Sequence, residues 1–355
     1  MKRSLSFGIA AIMTSLAAAA QAAPLPLPEI SADGGPKDGF PRVEVAFPDG
    51  VRALPEVRYS TPFGFRPLTM DIYQPPQAPS APARGYPMVM YIHGGGWLAG
   101  NSHSVLPFVD FPRVLASIAA RGFVVASVNY RLSGEAPWPA QAHDIKAAIR
   151  YLRVHAAEYR IDPDRFATWG VSAGGHLAAI AAAACDAPDL RPPMRVPAGS
   201  PDARREEGQD KVSECVQAAV AWYGVFDMAT IPEQAARSGG MSRDDPRTPE
   251  WLLMGCFKDK CSPAQLKSAS PMGYVTRDTA PMLLVVGDKD RLVPHEQTLE
   301  MAKALEAAGV RHELIVIPGV NHSLLGTTAQ ATRKANLDAL ERTMRFLDGT
   351  IGAAR

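Results

Sequence analysis

The run Met88-Val89-Met90-Tyr91-Ile92 is apolar without alternation and is bounded by Gly85 and Gly94. That is the pattern of a strand covered on both faces. Phe123 to Asn129, Arg165 to Trp169, Ala218 to Tyr223, Met282 to Val286 and Glu313 to Ile317 read as further strands. Between them lie helical stretches: Phe111 to Arg121, Ala140 to Tyr159 introduced by Pro139, a small-residue stretch after Ser172, Glu296 to Ala308, and Ala331 to Asp348. Upstream the pattern differs, with short β-like runs at Arg42 to Phe47, Glu56 to Ser60 and Leu68 to Tyr73, the last alternating apolar and polar. Strands that alternate with helices predict an α/β fold, a mostly parallel central sheet with helices on both faces.

Several segments carry no such period. Residues 23–39 are rich in Pro, Gly and Asp and read as a flexible lead-in, and Gln74 to Gly85 as a Pro/Ala loop. Asp186 to Glu214 is a polar insertion, expected as a solvated loop, with a lid as the alternative. Phe226 to Tyr274 reads as a helical, cap-like excursion over one sheet edge. Residues 40–355 are therefore expected to form a single domain carrying these two insertions.

Residues 1–22 have the form of a secretory signal: a basic end at Lys2-Arg3, an apolar stretch from Leu5 to Ala20, and Ala20-Gln21-Ala22 as the cleavage site. An uncleaved anchor is the alternative. Cleavage after Ala22 would leave a secreted or periplasmic protein with no membrane association. The net charge of +1 then becomes a balance of 35 basic against 36 acidic residues, which gives no electrostatic basis for binding nucleic acid or an anionic membrane. Export permits disulfides, and the four cysteines are expected to pair as Cys185 with Cys215 and Cys256 with Cys261. Their spacing fits no zinc motif.

The chemistry centres on Gly170-Val171-Ser172-Ala173-Gly174, a G-x-S-x-G stretch between strand and helix. Such an elbow exposes a nucleophilic hydroxyl. A serine nucleophile needs a base, a carboxylate to orient that base, and amide donors for an oxyanion, all on loops at the carboxyl ends of strands. His322, just past the last predicted strand, meets this condition best among the eight histidines. His93 is expected to brace its own loop, and His176 to face away from the elbow. Asp290 is favoured as the carboxylate, with Asp288 second and Asp227 an outside candidate. Gly95 and Gly96 of His93-Gly94-Gly95-Gly96-Trp97, with Ala173, are the expected oxyanion donors. Trp97 is the candidate substrate-binding residue, the alternative being that it packs. A phosphate cradle is disfavoured because no G-K-[ST] follows these glycines.

With these pieces placed, the chain resembles the α/β-hydrolase superfamily. More narrowly it is similar to secreted esterases near the hormone-sensitive-lipase group and the feruloyl/acetyl-xylan esterases. The resemblance rests on His93 to Trp97, Asn129 to Leu132, Trp138-Pro139-Ala140, Asp144, Asp162 to Arg165, Gly170 to Ala178, Ser270-Pro271, Gly287 to Pro294 and Asn321-His322, and spans roughly residues 55 to 350. It implies Ser172 as nucleophile, His322 as base and Asp290 as its orienter, with Gly95, Gly96 and Ala173 as oxyanion hole. The sequence departs from it at Trp138, where many relatives carry Phe, and in the length of the 186–214 insertion. The expected activity is a serine carboxylesterase acting through an acyl-enzyme on short-acyl or aryl esters, small or polysaccharide-linked, with no cofactor and no metal. The alternatives are an amide or peptide hydrolase with the same triad, and a catalytically silent binding protein on this scaffold.

Overall fold

The computed structural model describes residues 43–352 apart from 63, 78–81 and 192–211. The signal-like segment 1–22, the lead-in 23–39 and most of the 186–214 insertion lie outside the described residues.

Among the described residues, nine strands form one sheet: β1 (Val45–Ala46), β2 (Arg52–Ser60), β3 (Leu68–Gln74), β4 (Tyr86–Ile92), β5 (Val124–Val128), β6 (Ile161–Val171), β7 (Ala218–Trp222), β8 (Met282–Gly287) and β9 (His312–Ile317). Their spatial order is β1-β2-β3-β5-β4-β6-β7-β8-β9. The six from β5 to β9 run parallel, and β1 to β3 form an antiparallel edge joined through β3 to β5. The unbroken apolar run of β4 has the predicted cause, since its alternate residues enter two different cores. Met88, Met90 and Ile92 pack on one face with Leu177, Ile145 and Met301. Val89 and Tyr91 pack on the other with Phe111, Leu115 and Leu347.

The helices follow the predicted alternation. They are α1 (Phe111–Ala119), α2 (Ala140–Val154), a short α3 (Ala156–Tyr159), α4 (Ala173–Ala183), α5 (Ile231–Arg237), α6 (Pro249–Met254), α7 (Pro263–Ser268), α8 (His295–Ala307) and α9 (Ala329–Thr350). Where one helix was expected over 140–159, His155 interrupts it with non-helical backbone. β2 begins four residues earlier than its apolar pattern indicated. Pro55 masks the start of the strand, and a bulge between Leu54 and Val57 accommodates it. The 226–274 excursion holds α5, α6 and α7. Both expected disulfides are formed, Cys185–Cys215 and Cys256–Cys261. Among the described residues no helix is long and apolar enough to cross a membrane.

Candidate active site

The turn from β6 into α4 is a single residue, Ser172, with φ 54° and ψ −120°. Non-glycine residues rarely adopt such backbone, and it persists only where the surroundings enforce it. The surroundings here are close. The Ser172 N–H donates to the Trp222 carbonyl of β7 at 2.9 Å, and its carbonyl accepts from His176 N at 3.0 Å. A Cβ on Gly170 would stand 2.0 Å from the Gly174 oxygen, and one on Gly174 would stand 2.0 Å from the Ile92 oxygen. The two glycines flanking the serine are therefore required by the approach of β4, β6 and α4 to one another.

Ser172, His322 and Asp290 meet. The Ser172 hydroxyl lies 2.9 Å from His322 Nε2, and His322 Nδ1 lies 2.7 Å from Asp290 Oδ2. A carboxylate can only accept, so Nδ1 carries the proton and Nε2 presents a lone pair to the serine. The other oxygen of Asp290 accepts from the Leu292 and Val293 amides, each at 2.9 Å. Asp290 is buried and held from three sides. The loops come from the carboxyl ends of β6, β8 and β9. The edge of the Tyr223 ring closes on His322, 4.8 Å between centroids.

The two other carboxylates serve elsewhere. Asp288 Oδ1 accepts from Gly319 N at 2.6 Å, tying the β8 and β9 loops together. Asp227 accepts from Ala229 N at 2.9 Å and lines a separate cavity of about 410 Å³.

The glycine loop after β4 adjoins the serine in a cavity of about 520 Å³, lined by Gly94, Gly95, Gly96, Ser172 and His322. Its walls are mostly apolar, from Val105, Leu106, Phe108, Pro249 and Leu292. Gly95 (φ 103°) turns too tightly for a side chain, since a Cβ there would stand 2.1 Å from the Ala99 oxygen. Among the described residues neither the Gly95 nor the Gly96 N–H donates to a backbone carbonyl. Ala173 begins α4, where the first amides of a helix have no partner within it.

The structure does not bring Trp97 to the cavity, contrary to the expectation that it binds substrate. Its ring is buried (2% exposed), its Nε1 donates to His176 Nδ1 at 3.3 Å, and the two rings meet edge to face. The physical reason is the positive φ of Trp97 (57°), which turns the side chain at the end of the glycine run toward α4. His176 passes its other nitrogen to the Ala269 carbonyl at 2.8 Å, and burial pushes its pKa down to about 4. His93 braces its loop as expected: Nδ1 lies 2.7 Å from the Gly94 carbonyl, the ring stacks on Tyr130, and burial holds its pKa near 4.

Sequence reasoning missed the part played by Asn321. Its Oδ1 accepts from His322 N at 2.7 Å and Arg291 N at 3.0 Å, so one side chain couples the loop of the carboxylate to the loop of the histidine. The available signal was an Asx residue directly before the histidine in a turn. The apolar cavity wall, Val105 to Phe108, was also missed, because the segment has no period.

A sequence model of the BD-FAE family matches residues 70–305, more than half of the chain. The chain belongs to that family. The matched BD-FAE region holds the glycine loop, the elbow and Asp290, and His322 lies beyond it. Among curated proteins, the chain is 31% identical over 247 residues to esterase LipQ of Mycobacterium tuberculosis, covering 69% of this chain and 51% of that one. It is 29% identical over 260 residues to the ethyl acetate hydrolase of Pseudomonas putida, covering 73% and 71%. The chain spans about half the length of the first curated relatives it matches. Among solved structures, a truncated carbohydrate esterase from gut microbiota superposes with a TM-score of 0.68 at 28% identity, covering 86% of this chain and 98% of that one. The BD-FAE member described here thus has the α/β-hydrolase fold.

Proposed function

We propose that this protein is a serine carboxylesterase that uses Ser172, His322 and Asp290. The observation that carries this reading is the unbroken hydrogen-bonded chain from the Ser172 hydroxyl through His322 to Asp290, opening into the cavity beside Gly94 to Gly96. Its relatives and structural neighbours named as esterases favour an ester over an amide substrate.

In this reading His322 Nε2 takes the proton of Ser172 as the hydroxyl attacks the ester carbonyl. The Gly95, Gly96 and Ala173 amides hold the resulting oxyanion. Protonated His322 then gives its proton to the departing alcohol, leaving an acyl-Ser172. Water, deprotonated by the same imidazole, attacks the acyl-enzyme and frees the acid and the serine. Asp290 keeps the imidazole in the required tautomer throughout.

The apolar walls and the volume of the cavity support short-acyl or aryl esters, free or attached to a polysaccharide. The two disulfides and the signal-like pattern of residues 1–22 support export. The reading is tested with Ser172→Ala on a short-chain aryl ester. A fall in kcat of several orders of magnitude is expected for loss of a nucleophile, and wild-type turnover by the variant would overturn it.

A further inference from the structure

Pro249 and Leu292 both line the cavity at Ser172, yet they come from different parts of the chain, the first from the start of α6 and the second from the loop after β8. Leu292 is 40% exposed, so packing alone does not hold it. Its backbone is fixed instead. The Leu292 amide donates to Asp290 Oδ1 at 2.9 Å, and its carbonyl accepts from Arg243 Nη2 at 2.7 Å. The same Nη2 donates to Glu250 Oε1 at 2.8 Å, and Glu250 directly follows Pro249. The Pro249 ring in turn lies over the glycine loop, its Cβ 3.1 Å from where a Cβ on Gly96 would stand.

One guanidinium thus reaches both parts of this wall. Arg243 and Glu250 are each 3% exposed, and the arginine is itself locked in place. Its Nη1 donates to the Met241 carbonyl at 2.5 Å, its carbonyl accepts from Trp251 Nε1 at 2.8 Å, and the Met241 amide donates to the Arg291 carbonyl at 3.0 Å. Burying two charges removes hydration that their mutual attraction repays only when every remaining lone pair and proton finds a partner. Here Arg243 Nε and Glu250 Oε2 have no hydrogen-bond partner among the described residues. Net stability therefore does not account for the pair. Geometry does, because a planar fork addresses a carboxylate and a carbonyl at fixed angles, which an apolar side chain cannot do.

We propose that Arg243, acting through Glu250 and Leu292, is a positioning residue that sets the width of the cavity and so the size of ester group accepted at Ser172. The proposal rests on the serine-carboxylesterase reading above. With the fork removed, Leu292 loses its carbonyl anchor and α6 loses this tie to the Asp290 loop, so the wall yields to longer groups. Asp290 keeps both amide donors and its contact with His322, so the chemistry at Ser172 continues. Arg243 therefore governs which ester fits rather than how it is cleaved.

The test compares kcat/KM over two series, p-nitrophenyl esters from acetyl to octanoyl and alkyl acetates from methyl to hexyl, for the wild type, Arg243→Met and the double variant Arg243→Met with Glu250→Leu. The single variant strands a buried carboxylate and is expected to melt well below the wild type. The double variant removes both charges, an apolar replacement of the kind that buried ion pairs tolerate, and should keep its melting temperature. In the double variant the octanoyl-to-acetyl or the hexyl-to-methyl ratio is expected to rise about tenfold, the discrimination that one methylene of apolar pocket gives. The series that moves identifies the side of the ester that lies along this wall. A merely structural role lowers every kcat/KM in proportion to the folded protein lost and leaves both ratios where they were. An active wild type with unchanged ratios in the double variant overturns this proposal alone, whereas a wild type inert on both series overturns the esterase reading and this proposal with it.

Discussion

Asp290 makes three hydrogen bonds with two oxygens, and their division sets what its loss would do. Two backbone amides fix Oδ1, leaving Oδ2 to the imidazole. Asp290→Asn could keep the first pair but would present an N–H or a mis-set oxygen to His322 Nδ1, favouring the wrong tautomer. A fall in kcat of about 10⁴-fold is expected with little change in melting temperature, by the precedent of the same substitution in a Ser-His-Asp triad. Steady-state kinetics beside a thermal melt measures it. His93 and His176 make a different prediction. Burial holds both near pKa 4 in the folded protein, against an ordinary 6.5. Both are neutral when folded, so below about pH 6.5 the unfolded chain binds protons that the folded protein does not. The stability present at neutral pH is therefore lost as pH falls from 6.5 toward 4, by up to about 3 kcal/mol per ring. Denaturant melts at pH 7 and 4.5 should differ accordingly, and His176→Gln should reduce the slope between them.

At the scale of elements, the site depends on how closely β4, β6 and α4 pack. Gly174→Ala would drive a methyl into the backbone of Ile92, where no side chain can move aside. Overpacking against backbone should cost at least about 3 kcal/mol, the upper range for inserted core atoms. Chemical denaturation of the variant would detect it, and a change under 1 kcal/mol would show that the strand and helix separate freely. This packing was legible in the sequence because only glycine satisfies it. The meeting of the three proposed catalytic residues was legible for a related reason: Ser172, Asp290 and His322 each follow a strong apolar strand, and parallel strands deliver such residues to one end of a sheet. What was not legible depended on side-chain direction or on irregular backbone. Trp97 sits beside the glycine loop in sequence, yet its positive φ turns it to His176. Pro55 hid the start of β2.

Across the whole molecule, the two disulfides restrain very different lengths of chain. Cys185 and Cys215 are separated by 30 positions, Cys256 and Cys261 by 5. Loop-closure entropy gives about 3.5 kcal/mol for the first and about 2 kcal/mol for the second. Cys185→Ser should accordingly lower the melting temperature more than Cys256→Ser, and a reducing agent should lower that of the wild type toward the doubly substituted protein. Scanning calorimetry of the four proteins, the wild type with and without reducing agent, orders these effects.

The sheet places its central serine strand, β6, far earlier in the chain than β9, the edge strand whose loop supplies the histidine. During synthesis the elbow can therefore take shape while His322 is still inside the ribosome. In the proposed reading, Ser172 is an ordinary alcohol until residue 322 has emerged and β9 has added to β8. On that reading, a chain exported as it is made would be inert on the side of the membrane where it is translated. Its serine would become a nucleophile only after the last strand had crossed.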